Sequence, residues 1–159
     1  MSIQVSVYDK DVIAQLKRGR EAALDLSTPF RLIQESWWKG NRFIFAVTGP
    51  GKYADLKDST KKTKKATYGF LYPILRASGA MEQTLIQPGD PANTISKTSM
   101  TVGTSVKYAK FLQDGTSKMV ARPVVLLGTE QVAPNALNTR TQLWAKMIGD
   151  YINQSVGAT

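Results

Sequence analysis

Near the C-terminus, Leu143, Trp144, Met147, Ile148, Tyr151 and Ile152 recur at intervals that return to one side of a helix at every turn. Six large apolar side chains on one helical face must be buried against something, so this stripe constrains the fold more than any other feature. It predicts a final helix over Asn138 to Val156, in a segment bounded at 136–156, that packs on a sheet. The tail from Ser155 to Thr159 is expected to fray.

The N-terminal part offers two further helical patterns. Val12, Ile13, Leu16, Ala23 and Leu24 roughly keep helical spacing from Asp9, a capping residue, to Leu26. Gly19 weakens the middle of that stretch. Ser27-Thr28-Pro29 then reads as a second start, with a hydroxyl cap and proline in the first turn. Phe30, Leu32, Ile33, Trp37 and Trp38 follow up to Lys39-Gly40. The two patterns read as two helices or one bent helix, forming a helical arm over 1–40. Trp37 and Trp38 are adjacent and point about 100° apart on a helix, so one belongs in the core and the other is partly exposed.

Between these ends the pattern reads as strand. Arg42 to Thr48 is β-branched and aromatic, and Gly49-Pro50-Gly51 ends it with a turn. Lys52 lacks the spacing of a phosphate loop. Further strand signals lie at Gln83–Gln87, Thr94–Val102, Ser105–Leu112 and Arg122–Leu127. They are separated by Pro88-Gly89-Asp90-Pro91, by Gly103-Thr104 and by Asp114-Gly115-Thr116. The expectation is one α+β domain over 1–159. An antiparallel meander over 41–127, carrying a basic loop at 52–72, is packed by the helical arm and the C-terminal helix.

Residue usage excludes several chemistries. With 159 residues and 42% hydrophobic content the chain can build a core. It has no cysteine and no histidine, so disulfides, thiolate nucleophiles, Ser-His-Asp and Cys-His machinery and the commonest metal ligands are all missing. The carboxylates are scattered, and none forms a pair spaced for acid–base work or for a metal. A non-enzymatic protein without a cofactor or a metal is expected. No segment is apolar enough for a signal peptide or a membrane span, so no membrane partner is expected and assembly belongs in the cytoplasm.

The formal net charge is +9. Five lysines against Asp58 place +4 of it in KDSTKKTKK, the nine residues from 57 to 65. Lys57, Lys61, Lys62, Lys64 and Lys65, with Ser59, Thr60 and Thr63, suit sequence-blind contact with DNA phosphates or with an acidic protein rim. A solvated loop without a partner is the plain alternative. In YAKFLQDGTSKMVARP, from Tyr108 to Pro123, an Asp-Gly-Thr turn leads back to Arg122-Pro123. Proline suits the first residue of a strand or an edge. Arg122 is placed to pair with a carboxylate, within the subunit or on a neighbour.

An ordered set of short motifs spans Tyr53 to Leu127. It begins with YADLKDSTKKTKK, followed by YPILRASGAM with Thr84 after it. VGTSVKYAKFLQDGT comes next, and MVARP stands before an apolar run. Taken together, this half of the chain resembles the Mu-like virion-morphogenesis, or tail-completion, family of tailed bacteriophages. The chain departs from the family pattern at Val120 (usually proline), at Val124 (usually phenylalanine) and across Ser78-Gly79-Ala80-Met81.

The resemblance implies a small α+β structural protein of the virion, at the neck or tail. Such a protein forms a homo-oligomeric ring, a hexamer in the simplest case, around the DNA channel. Its partners would be the head-connector and tail-tube or terminator proteins, with transient non-specific DNA contact. Tyr108, Gly115, Thr116, Met119, Arg122 and Pro123 become subunit-interface or motif residues on this reading. A tail terminator or minor tail protein is the alternative within the class. A free, sequence-independent nucleic-acid-binding protein is the alternative from another class.

Overall fold

A computed structural model describes residues 10–46, 53–124 and 134–157, with the side chains of 43, 44 and 134–140 left out of account. In chain order the elements are α1 (Lys10–Leu24), α2 (Ser27–Ala46), α3 (Asp58–Tyr68), α4 (Ala80–Ile86), β1 (Thr94–Ile95), β2 (Met100–Thr101), α5 (Ala109–Asp114) and α6 (Pro134–Gly157). Helices and a two-stranded antiparallel sheet make an α+β composition, but the meander does not form. The only sheet among the described residues is the β1–β2 hairpin, in which Thr94 pairs with Thr101 and Ile95 with Met100.

The central element is α2. Ile33, Trp37, Asn41 and Phe45 recur every four residues and are all buried. That stripe carries the helix through Arg42–Ala46, where β-branched and aromatic composition predicts a strand. Packing on one helical face overrides β propensity there. Trp37 is fully buried and Trp38 half-buried. The predicted turn at Gly49–Gly51, and Lys52, lie outside the described residues, as does the cap at Asp9.

Between α1 and α2 the chain breaks at Asp25-Leu26. The Asp25 carboxylate accepts the Ser27 backbone N–H at 3.1 Å and the Ser27 hydroxyl at 2.6 Å. The cap is therefore Asp25 acting on Ser27, two residues before the expected hydroxyl cap could act. The β1–β2 turn docks on this break, where Leu26 donates its N–H to the Lys97 carbonyl at 2.7 Å.

Gln83–Gln87 is helical in α4 up to Ile86. Its two inward residues, Met81 and Leu85, stand four apart and are buried. A short apolar run fits either period, and here the positive φ of Gly79 (85°) starts a helix. The C-terminal carbonyls of α4 are met from α2: Asn41 Nδ2 donates to Leu85 O at 2.9 Å and Arg42 Nε to Ile86 O at 3.2 Å. Most of the predicted strand Ser105–Leu112 is the turn and helix of α5. Ala121–Val124 forms no strand, and the remainder of the predicted strand to Leu127 lies outside the described residues.

The core gathers Trp37, Phe45, Leu75, Met81, Leu85, Ala109 and Val124, with Trp144 of α6 packed against it. The Trp37 and Trp144 rings lie 6.3 Å apart at 60°, a tilted aromatic pair. The α6 stripe therefore packs on helices α1 and α2 rather than on a sheet. Gly19 is buried where α1 crosses α6, and a Cβ there would stand 2.6 Å from Val156 Cγ2. The glycine that weakens α1 locally permits this approach, so residues 10–24 are a packed helix and not an arm. The helix α6 runs to Gly157, three residues into the expected frayed tail.

Asp90 fixes the base of the hairpin. Its carboxylate accepts Ala92 N–H at 2.8 Å, Ser105 N–H at 3.0 Å and the Ser105 hydroxyl at 2.8 Å. Burial raises the Asp90 carboxyl, but the bonds from Ser105 and Ala92 outweigh it and hold the pKa below the ordinary value. A carboxyl lowered in the fold stabilises above its unfolded pKa of about 3.9 and loses that contribution as the pH falls through the folded value. Asp90→Asn should therefore cost about 1–3 kcal/mol at neutral pH, because an amide nitrogen would face N–H donors. In urea titrations at several pH values, its deficit against the parent should shrink below about pH 4. A deficit that persists unchanged into acid would refute this assignment.

Candidate functional site

The lysine-rich segment is helical. Helix α3 starts after Lys57, which is extended, carries Asp58 in its first turn, and ends at Gly69 (φ 76°), whose N–H meets the Lys65 carbonyl. Helical spacing sorts the lysines that look equivalent in a linear reading. Lys57, Lys62 and Lys65 are exposed, Lys61 is half-buried and Lys64 is buried.

Lys61 is committed to Asp55, with Nζ 2.6 Å from Oδ2, and lies 3.8 Å from Asp58. The Asp55 carboxylate also accepts Leu56 N–H at 2.8 Å and the Tyr72 hydroxyl at 2.9 Å. The bond from Lys61, then that from Leu56, holds the Asp55 carboxyl below its ordinary value. The same contact raises Lys61, and the carboxylate raises Tyr72.

Lys64 is 7% exposed. Its ammonium donates to the carbonyls of Pro73 at 2.8 Å and Ile74 at 3.1 Å, and lies 5.3 Å from the Phe70 ring centroid. Burial lowers its pKa, and the Arg76 charge adds to that. Lys64 therefore holds the 70–75 segment on α3, and Lys61 and Lys64 are both withdrawn from the predicted polyanion surface. Lys57, Lys62 and Lys65 still face solvent.

Arg122 is 8% exposed and pairs with no carboxylate among the described residues. Its Nε and Nη2 donate to Ala54 O at 3.3 and 3.1 Å, and Nη2 also reaches Asp55 O at 3.2 Å. The partner is the backbone of another motif segment, 67 residues away in sequence. Next to it the Tyr53 hydroxyl donates to Pro123 O at 2.6 Å. The segments around 53–56 and 121–123 are thus joined by side-chain bonds in both directions, with no strand ladder between them.

The returning turn is compact. Gly115 ends α5 at φ 74°, and Thr116 and Met119 exchange backbone bonds at 2.8 and 3.1 Å. The Thr116 hydroxyl accepts Lys118 N–H at 3.2 Å and Met119 N–H at 3.1 Å. Arg122 N–H then reaches Leu112 O at 2.7 Å. Tyr108, before α5, is exposed, and Met119 is half-buried.

Of the predicted residues, the structure brings Lys57, Lys64, Met119 and Arg122 to the wall of one cavity of about 510 Å³ between α3, α5 and the 116–122 turn. Lys62, Lys65, Tyr108, Gly115, Thr116 and Pro123 are not among its lining residues. Lys118 and Tyr68 also line it, and sequence reading did not single them out. Only their adjacency to the basic run and to the turn could have marked them. Among the described residues there is no cluster of acids able to hold a metal, and no helix is long and apolar enough to cross a membrane. Compared with family models, curated proteins and solved structures, the chain matches none.

Proposed function

We propose that this chain is a structural subunit of the neck or tail of a tailed bacteriophage, acting non-enzymatically in tail completion or head–tail joining as one member of a ring around the DNA channel. One observation carries this reading. The first and last motifs of the resemblance, far apart in sequence, meet through Arg122 on Ala54 and Asp55 and through Tyr53 on Pro123, and Lys64 ties the first motif to Pro73 and Ile74 of the next. Motifs that close into one bonded unit suit a rigid scaffold for a structural subunit.

The surface supports an assembly role. Val12, Ile13, Leu16 and Leu24 of α1 are exposed, and so are Tyr108, Phe111 and Val120 near the turn. Large apolar side chains left in water on two separate elements suit the two unlike faces of a head-to-tail ring contact. Lys57, Lys62 and Lys65 repeated around a ring would supply weak, sequence-blind attraction for DNA or for an acidic neighbouring ring. The free nucleic-acid binder is less well supported, because two of the five lysines are engaged within the chain.

Quantitative mass spectrometry of purified particles tests the reading. A single ring of about six copies per particle is the expected result. Absence from particles would overturn it in favour of the free binder, and a count far above one ring would move the chain to a repeating tail position.

A further inference from the structure

The cavity between α3, α5 and the 116–122 turn holds an unusual charge arrangement. Two of its wall residues, Lys64 and Arg122, are cations more than nine-tenths buried. Neither has a carboxylate within ion-pair range among the described residues. The one acid in the wall, Asp55, turns its carboxylate to Lys61, Leu56 and Tyr72 and offers Arg122 only its carbonyl. Buried charge is costly unless paired, and carbonyl dipoles compensate it only in part. Their partners are all neutral: the Pro73 and Ile74 carbonyls and the Phe70 ring for Lys64, and the Ala54 and Asp55 carbonyls for Arg122, whose Nη1 makes no bond among the described residues.

The surroundings narrow what could supply the missing anion. Much of the wall is apolar, including Ile74, Leu112 and Met119. At about 510 Å³ the cavity is within the range of about 300–1,000 Å³ typical of binding pockets. Its rim carries Val120, 62% exposed, and Tyr68, 42% exposed, with Lys57 and Lys118 beside them. A small anion would leave the two rim side chains in water. A nucleic-acid backbone would set hydrated phosphates against an apolar lip. A protein segment that presents a carboxylate next to an apolar side chain satisfies both the buried cations and the rim.

We propose that this cavity is the docking site for an acidic–apolar segment of a protein partner, whose carboxylate enters toward Lys64 and Arg122 while its apolar neighbour covers Val120 and Tyr68. The site does not depend on the ring reading, and it is tested on the purified full chain without particles.

The probe is N-acetyl-leucyl-glutamate, titrated into the ¹⁵N-labelled protein at constant ionic strength, with N-acetyl-leucinamide and a short duplex DNA as parallel arms. The expected result is saturable shifts of amide signals in 60–64 and 118–122 with the acidic dipeptide, and about tenfold weaker binding of the neutral amide, the factor that one charge-assisted bond contributes. Val120→Asp and Lys118→Glu alter exposed rim positions. Each should weaken the dipeptide at least about fivefold while leaving the remaining amide spectrum in place. Equal binding of the neutral amide, no shifts in these two segments at millimolar dipeptide, or the same shifts produced by DNA would each overturn the proposal. Unchanged affinity in both rim variants would overturn it as well.

Discussion

Arg122→Ala is expected to lower the stability of the folded chain by about 2–4 kcal/mol, since it removes the charge-assisted bonds to the Ala54 and Asp55 carbonyls together with the packing of a buried side chain. Reading MVARP alone, Arg122 looks placed to pair with a carboxylate, within the subunit or on a neighbour. In the fold its guanidinium is the clamp between two distant segments, holding the carbonyls of Ala54 and Asp55. The loss should therefore appear in the melting curve of the isolated protein, before any assembly is assayed. Tyr53→Phe removes the bond to Pro123 O from the same junction and should cost about 1 kcal/mol. The double variant should lose less than the two single losses together, because once Arg122 is gone the 53–56 segment is no longer held in place for the second bond. Strict additivity would show that the two bonds act on independent parts of the chain. A melting point unchanged in Arg122→Ala would show that the clamp contributes nothing to folding.

Gly115→Ala should be at least as damaging, at about 2–5 kcal/mol, from backbone strain and overpacking together. Gly115 combines φ 74° with ψ −175°, a conformation open essentially to glycine alone. A methyl group there would stand 2.8 Å from Ala121 N and 3.0 Å from Met119 O, both backbone atoms of the returning turn. Those atoms cannot swing aside as a side chain would, so the turn that presents Lys118 and Val120 would have to open. Gly69 is the matched control. Its φ is 76°, but nothing lies within 4 Å of the added carbon, so Gly69→Ala should cost only about 1–2 kcal/mol. Thermal melts of the two variants side by side separate strain from collision. Equal losses would mean that the close approach in the 115–121 turn does not matter.

These two positions illustrate what a linear reading can reach. The glycine was legible as a turn residue, because Asp-Gly-Thr between apolar runs has few other uses. Its collision partners were not, because they depend on how tightly 116–121 folds back. The lysine run was legible as charge. Its division into exposed Lys57, Lys62 and Lys65 and engaged Lys61 and Lys64 follows from α3 being a helix with one face against 53–56 and 70–75. The strand readings failed for a related reason. Arg42–Ala46 and Gln83–Ile86 are short apolar stretches whose local preference is weak. Burial of Phe45 behind Trp37, and of Leu85 behind Met81, selects the helical period in each.

By itself the sequence determined the helical stripes, the helix start at Ser27, the turn at Asp114-Gly115-Thr116, the surplus of positive charge and the exclusion of histidine and cysteine chemistry. Each of these is a property of residue type or of spacing within a few residues, so no distant contact is needed to state it. The tertiary structure decided that the sheet among the described residues is a single hairpin and that α6 lies on helices α1 and α2. It also decided that Arg122 clamps 54–55, and that Lys64 and Arg122 line one cavity, neither with a carboxylate partner among the described residues. These depend on contacts between residues tens of positions apart, where the free energy of burial and of buried hydrogen bonds outweighs local preferences worth about 1 kcal/mol or less per residue.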